Sequence, residues 1–256
     1  MKNYKLVLAY DGSDFLGWQR QKIDDNTVAG KLEQALKLVA QGHEKIQAAG
    51  RTDRGVHALG QVVSFKADIK IPLKRLPKVI NSHLPRSIRV LKVDIVPDDF
   101  QARFSAKARE YVYLLALNEQ VPIFMEPYIA HLDQKTQVDL VKMRKAAKVL
   151  LGEKYLKTFC STGSGNKIFN RRIFSISIRS RVLVDQFGKR LKVTEFKLKA
   201  NAFLYRMVRN IVSALLDVGT GELDLADFAR VVASGDRRKI GSPAPAEGLY
   251  LNKVYY

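Results

Sequence analysis

The chain has 256 residues, of which 46% are hydrophobic and 27% charged, a composition typical of a globular protein. Forty-four lysines and arginines against 25 acidic residues give a net charge of +19, which favours a polyanionic partner, nucleic acid first, over a merely solubilising surface. The single cysteine, Cys160, excludes an internal disulfide and a multi-cysteine zinc site, and no signal core or membrane-spanning run is evident, so we expect a cytoplasmic protein.

The first half of the chain predicts a β-α-β-β-α-β arrangement. Its predicted elements, in order, are a strand over 4–10, a helix over 27–41, strands over 45–49 and 61–65, a weak helix over 72–83 interrupted at Pro77, and a strand over 87–96.

The turn between the strands over 45–49 and 61–65 carries the cluster GRTDRGVHA, residues 50–58. One carboxylate, Asp53, stands between Arg51 and Arg54, with a glycine on either side. The cluster has two interpretations: a structural turn whose aspartate pairs with an arginine, or a catalytic carboxylate prepared for a polyanionic substrate. The local pattern does not decide between them.

The second half again interleaves strands and helices. Its predicted elements, in order, are a strand over 108–117, a helix over 137–151, strands over 171–184 and 190–199 joined by a hairpin, helices over 203–218 and 225–234, and a strand over 248–254. The helix over 137–151 is expected to bury apolar residues that include Leu151.

These elements predict an α+β fold of two ferredoxin-like halves with a mostly antiparallel mixed sheet. We place an N-terminal domain at 1–105 and a C-terminal domain at 106–256. Both halves are basic, with net charges of +7 and +12, so both could face one polyanion across a basic cleft between them.

Two patterns in the second half suggest contacts with a ligand. Tyr111 and Tyr113 alternate on a strand and share one face, as core residues or, in a basic protein, as a platform for bases. On the helix predicted over 203–218, Arg206, Arg209 and Asn210 are expected to project together, although a solvated face is the commoner case.

Several chemistries lack their motif. The four histidines form no HExxH pattern, and no phosphate-binding GxxxxGK[ST], dinucleotide-binding GxGxxG or nucleophile-elbow GxSxG occurs. A metal hydrolase is therefore unsupported, and binding of a nucleoside triphosphate or a dinucleotide is not a leading interpretation. A carboxylate, arginines and tyrosines remain as candidates.

The cluster over 50–58 resembles the tRNA pseudouridine synthase A family when it is taken with four other blocks. These are YDGSDFLGWQRQ (10–21), ARFSA (102–106), FLYRMVRNI (203–211) and PAEGLYL (245–251), all in family order. The blocks span nearly the whole chain. Arg54 departs from the family pattern, which often has a small residue at this position, and its role is open.

The resemblance implies isomerisation of uridine to pseudouridine at positions 38 to 40 of tRNA, in the anticodon arm, by a homodimer without cofactor or metal. It implies that Asp53 is the essential aspartate and that Tyr111 stacks on the target uracil. It also implies that Arg209 is the basic residue near the aspartate and that Arg51 holds the target nucleotide flipped out.

The residue chemistry fits this role. A carboxylate can act as nucleophile or base, and nearby arginines would keep Asp53 ionised. Whether it attacks uracil C6 or ribose C1′, or removes a 2′ proton, stays open, as does the choice of tRNA isoacceptors. Two alternatives are a basic RNA-binding or chaperone protein without chemistry, and a glycoside or nucleoside hydrolase. The hydrolase lacks a second flanking carboxylate.

Overall fold

The computed structural model describes residues 1–21, 25–133 and 137–256, which form ten strands and five α-helices. Most strand pairs are antiparallel, so the predicted α+β class is confirmed. In chain order the elements are β1 (Lys2–Tyr10), α1 (Val28–Val39), β2 (Gln47–Ala48), β3 (His57–Ala67), α2 (Leu76–Asn81), β4 (Ile88–Val96), β5 (Ala108–Leu117), β6 (Ala130–Leu132), α3 (Leu140–Val149), β7 (Gly152–Tyr155), β8 (Asn170–Val184), β9 (Arg190–Ala200), α4 (Met207–Thr220), α5 (Leu225–Ser234) and β10 (Leu249–Tyr255).

The chain divides into two compact units. The first contains Met1–Lys107 together with Tyr250–Tyr256, and the second contains Ala108–Leu249. The division predicted after residue 105 falls close to the one after Lys107. The last strand is grouped with the first unit, whereas the sequence places it in the C-terminal domain. The roles of the two domains, their ferredoxin-like character and the basic cleft stay predictions.

In the first unit, β4, β1, β3 and β2 pair antiparallel in that order, and β10 joins β3 in parallel through Tyr250 opposite His57. Alternate residues of β1 are buried, as its period-two pattern requires; Leu6 and Leu8 are completely so. Helix α1 begins after Thr27, whose side chain accepts the Gly30 N–H at 3.1 Å.

The predicted interruption at Pro77 is wrong. Helix α2 begins at Leu76, and Pro77 stands in its first turn. A proline is tolerated there because its missing N–H would have no partner inside the helix.

In the second unit, β5, β9, β8 and β7 pair antiparallel in that order, and β6 joins β5 in parallel. The strand over 108–117 and the helix over 225–234 match their predicted bounds. The sequence did not predict the short strands β6 and β7. The expected burial of Leu151 is wrong, since 38% of this residue is exposed beyond the end of α3.

None of the helices in the described ranges has the length and apolar character needed to cross a membrane.

Candidate functional site

Asp53 lies in a tight turn between β2 and β3. The Val56 N–H donates to the Asp53 carbonyl oxygen at 3.2 Å and closes the turn. Gly55 has a φ of +77°, a conformation that glycine adopts without steric cost. Asp53 is half-buried, while Arg51 and Arg54 on either side are exposed. The turn thus presents one carboxylate between two exposed guanidinium groups.

Hydrogen bonds from residues of β1 and β3 hold this turn in place. The hydroxyl groups of Tyr10 and Thr52 lie 2.8 Å apart in a hydrogen bond. The Gln61 amide donates to the Gly50 carbonyl oxygen at 2.7 Å and to the Tyr10 hydroxyl at 3.4 Å. Burial raises the pKa of Tyr10 to about 12, against the opposing effect of these hydrogen bonds, so the phenol keeps its proton at neutral pH. The residue before Asp53 is therefore fixed on strands β1 and β3.

The loop after β1 covers the turn from the other side. The Trp18 N–H donates to the Thr52 carbonyl oxygen at 3.0 Å. A Cβ on Gly12 would lie 2.1 Å from the Val56 carbonyl oxygen, so only glycine allows this approach. The Gly12 N–H donates to Nδ1 of the buried His57 at 3.0 Å. The loop after β1 and the turn between β2 and β3, which are far apart in sequence, are thus fixed against each other.

The final strand also reaches this region. The ring of Tyr250 stacks on that of His57 with centroids 4.8 Å apart and planes inclined by 22°. His57 is 2% exposed. The first residue of β3 is thereby packed between the loop after β1 and strand β10.

The second unit contains Tyr111 on β5. Tyr111 is 7% exposed, and its ring meets Phe203 edge-on at 5.0 Å. Tyr113, two residues along, is completely buried and donates its hydroxyl hydrogen to the Pro245 carbonyl oxygen at 2.9 Å. Burial and Glu247 raise the pKa of Tyr113, and Arg209 opposes them. Both tyrosines are buried, as the core interpretation of their shared face predicts.

Arg209 lies in the first turn of α4 and is half-buried. Its Nε donates to the Ala244 carbonyl oxygen at 2.5 Å, and the Ala244 N–H donates back to the Arg209 carbonyl oxygen at 3.3 Å. The side chain is therefore held against the segment that precedes β10.

The expectation that Arg206, Arg209 and Asn210 project together is wrong. Helix α4 begins at Met207, and Arg206 before it is exposed and left-handed, with a φ of +58°. Asn210 is completely buried, where its amide donates to the Phe159 carbonyl oxygen at 2.8 Å. Its Oδ1 accepts from Arg237 at 3.1 Å. Asn210 thus belongs to the core rather than to a basic face.

The structure brings Arg51 and Asp53 into one turn of the first unit, and it places Tyr111 and Arg209 in the second unit. That the four act on one nucleotide stays a prediction. Sequence reasoning gave no role to Tyr10, the last residue of β1, or to Gln61 of β3, because both meet the turn only through the pairing of β1 with β3. Over the described residues, no three His, Cys, Asp or Glu side chains form a group that could hold a metal ion.

Comparison with known proteins gives a consistent result. A family model described as tRNA pseudouridine synthase matches residues 6–105 and 146–256. A protein of Thermodesulfovibrio yellowstonii named tRNA pseudouridine synthase A is 36% identical over 257 residues, and one of Caldicellulosiruptor saccharolyticus with the same name is 38% identical over 256 residues. Both alignments cover 100% of this chain and 100% of the relative.

Among solved structures, the archaeal box H/ACA sRNP Nop10-Cbf5 complex matches 91% of this chain and 58% of its own, with 16% identity and a TM-score of 0.35. That likeness is too low to support an argument about function. The family model and the relatives are sufficient: the chain belongs to the tRNA pseudouridine synthase family and is an isomerase that acts on tRNA.

Proposed function

We propose that the enzyme converts uridine to pseudouridine at positions 38, 39 and 40 in the anticodon arm of tRNA, with Asp53 as the essential carboxylate. The observation that carries the assignment of Asp53 is its place in a turn fixed from both sides, through Thr52 and through the loop after β1. The choice of positions rests on the resemblance of the five sequence blocks to the tRNA pseudouridine synthase A family.

The reaction is an isomerisation in which atoms and electrons balance within the nucleotide. The bond between uracil N1 and ribose C1′ breaks, a bond between C5 and C1′ forms, and the hydrogen on C5 is replaced by one on N1. No net oxidation or reduction occurs, so the proposal includes no redox cofactor, and we propose that no metal is needed. Asp53 acts on the ribose or the uracil as nucleophile or base.

Arg51 is proposed to hold the target nucleotide out of its helical stack. Its guanidinium group is exposed two residues before Asp53, where it can contact a phosphate or fill the space that the base has left. Extruding a base costs a few kcal/mol, which contacts of this kind offset.

Tyr111 is proposed to retain the detached uracil by stacking, an interaction that contributes about 1–3 kcal/mol per base. The edge-on contact with Phe203 fixes the Tyr111 ring before substrate binds, which lowers the entropy lost on binding. Arg209 is proposed as the basic residue that acts with Asp53. The hydrogen bond from its Nε to the Ala244 carbonyl oxygen fixes the orientation of its side chain.

We also propose that the protein is a cytoplasmic homodimer. The resemblance supports the dimer. Two aromatic residues of the second unit also support it. The rings of Phe124 and Phe187 lie 5.0 Å apart and the residues are 57% and 65% exposed, so together they form an exposed apolar patch that a second copy of the chain could cover. Sedimentation should give about twice the 28.9 kDa of one chain, and Phe187→Ser should shift the protein toward monomer. A wild-type monomer would refute the dimer.

The assignment of Asp53 is tested with unmodified full-length tRNA transcripts. After incubation, carbodiimide labelling maps each pseudouridine. Asp53→Asn should abolish labels at 38 to 40 while tRNA binding survives. Asp99→Asn, which removes an exposed carboxylate of the same unit, should leave them intact. Full turnover by Asp53→Asn would remove Asp53 from the mechanism, and wild-type labels at other positions would refute the anticodon-arm assignment.

A further inference from the structure

One segment of the first unit, residues 69–93, contains seven basic residues and no acidic residue. The first 105 residues contain 18 basic and 11 acidic residues, so those outside the segment balance at eleven of each. The whole positive excess of this part of the chain is therefore concentrated in 25 consecutive residues. The basic residues are Lys70, Lys74, Arg75, Lys78, Arg86, Arg89 and Lys92.

All seven side chains belong to exposed residues. Lys92 pairs with Asp94 at 2.8 Å. The other six make no ion pair with an acidic residue of the described ranges. Arg20 of the same unit differs, because it contacts both Asp25 at 3.0 Å and Glu33 at 3.2 Å. The segment thus carries positive charge that the unit itself does not neutralise.

Three of these cations lie on helix α2 or in the turn that leads into it. Lys78 is within the helix, Lys74 and Arg75 are in the turn just before it, and all three are exposed. Leu76 and Ile80 of the same helix are completely buried. No acidic residue stands in the first turn of α2. The helix and its leading turn therefore expose three cations and no carboxylate.

The segment adjoins the loop that covers the Asp53 turn. The Asp11 N–H donates to the Ser87 carbonyl oxygen at 2.9 Å, next to Arg86. Asp11 begins the same loop whose Gly12 and Trp18 contact the turn. Hence one unit carries, in continuous contact, the basic segment, the loop and the proposed catalytic carboxylate.

We propose that residues 69–93 form a tRNA-binding surface that contacts the phosphate backbone outside the target nucleotide, with Lys74, Arg75 and Lys78 as its central contacts. Each phosphate neutralised by a lysine or arginine releases condensed counterions, so such contacts add affinity that falls as salt rises. They do not read base sequence directly, so they would position the tRNA without selecting among base sequences. The inference rests on the activity toward tRNA and is independent of the role proposed for Asp53.

The test compares the triple variant Lys74→Gln, Arg75→Gln, Lys78→Gln with a matched control, Lys142→Gln, Lys145→Gln, Lys148→Gln. The control removes three exposed lysines from α3 of the second unit, so both variants lose the same charge. KM for a full-length unmodified tRNA transcript is measured over a series of KCl concentrations. The slope of log KM against log salt should become shallower by about two to three in the α2 variant.

At low salt the α2 variant should raise KM about tenfold or more, with the loss in KM rather than in kcat. The charge-retaining variant Lys74→Arg, Arg75→Lys, Lys78→Arg should restore both KM and the slope. Thermal melting of each variant checks that the fold is kept. A wild-type slope in the α2 variant would overturn the proposal. So would an equal change in the α3 control, because the effect would then come from net charge alone.

Discussion

Gly17 and Thr52 are in backbone contact. A Cβ on Gly17 would lie 2.9 Å from the Thr52 carbonyl oxygen, the same oxygen that accepts the Trp18 N–H. It would also lie 3.0 Å from the backbone nitrogen of Arg54 and 3.0 Å from the carbonyl carbon of Asp53. The position of Asp53 therefore depends on the absence of a side chain at Gly17, in the loop after β1.

We expect Gly17→Ala to lower kcat about tenfold or more, because the added methyl must displace the turn and small errors in position are costly in catalysis. Gly17 has a φ of +99°, so backbone strain is added to the clash. Gly188→Ala is the matched control, since Gly188 has a φ of +79° but open space around its Cβ. It should lower the melting temperature without lowering kcat. Similar kcat losses in both variants would contradict the contact argument.

Thr52→Val should lower both stability and kcat. Valine keeps the shape of threonine but leaves the buried Tyr10 hydroxyl without this partner, a change that costs about 1–3 kcal/mol. Thr52→Ser retains the hydroxyl and should recover most of the loss. A cycle with Tyr10→Phe, measured by chemical denaturation and by kcat, checks the pair. Additive losses in the double variant would show that the two hydroxyls are not coupled.

Tyr111→Phe should keep most of the activity, because a phenyl ring stacks on uracil as the phenol does. Tyr111→Leu should lower kcat/KM about tenfold to a hundredfold, in line with the free energy of base stacking. Melting curves separate this effect from a loss of packing against Phe203. If Tyr111→Phe were as inactive as Tyr111→Leu while still folded, the hydroxyl rather than the ring would be the functional group.

The carboxyl group of Glu195, on β9, should make the free energy of unfolding depend on pH. Burial of its carboxylate tends to raise the pKa, but hydrogen bonds and charges of Arg179 and Arg181 outweigh it, so the pKa lies below its usual 4.5. Because the folded-state pKa is depressed, this stabilisation is complete above about pH 4.5 and is lost as the pH falls through the lower folded value.

The melting temperature of Glu195→Gln should therefore be lower than that of the wild type at neutral pH, with the gap closing in acid. The exposed Glu119, changed to Gln, serves as the control and should show little gap at any pH. A gap for Glu195→Gln that stayed constant down to about pH 3 would exclude the proposed ion pairs as the cause.

Elements with a clear period were predictable from the sequence, as strand β5 and helix α5 show. The start of α4 was not. The apolar spacing continues back to Leu204, which is buried although it lies outside the helix. The left-handed backbone of Arg206 ends the helical geometry, and local pattern carries little sign of such a conformation in a residue other than glycine.

The candidate site was predictable only as a set of motifs. The sequence identifies the cluster around Asp53 and the block over 10–21 as related features, but not that Thr52 and Gln61 connect them. That connection arises from the pairing of β1 with β3, which brings residues 42 and 51 positions apart into hydrogen-bond distance. Long-range pairing of this kind is set by tertiary structure and leaves no local periodicity.

Strand β10 has a consequence for how the enzyme is made. The first unit takes its parallel strand, and the Tyr250 ring that packs on His57, from residues that the ribosome adds after the entire second unit. During synthesis the strands of the second unit can therefore pair with one another while the first unit still lacks a strand. The stacking of Tyr250 on His57, next to the Asp53 turn, is therefore formed last. A nascent chain that stops before residue 250 should lack this part of the packing around the turn.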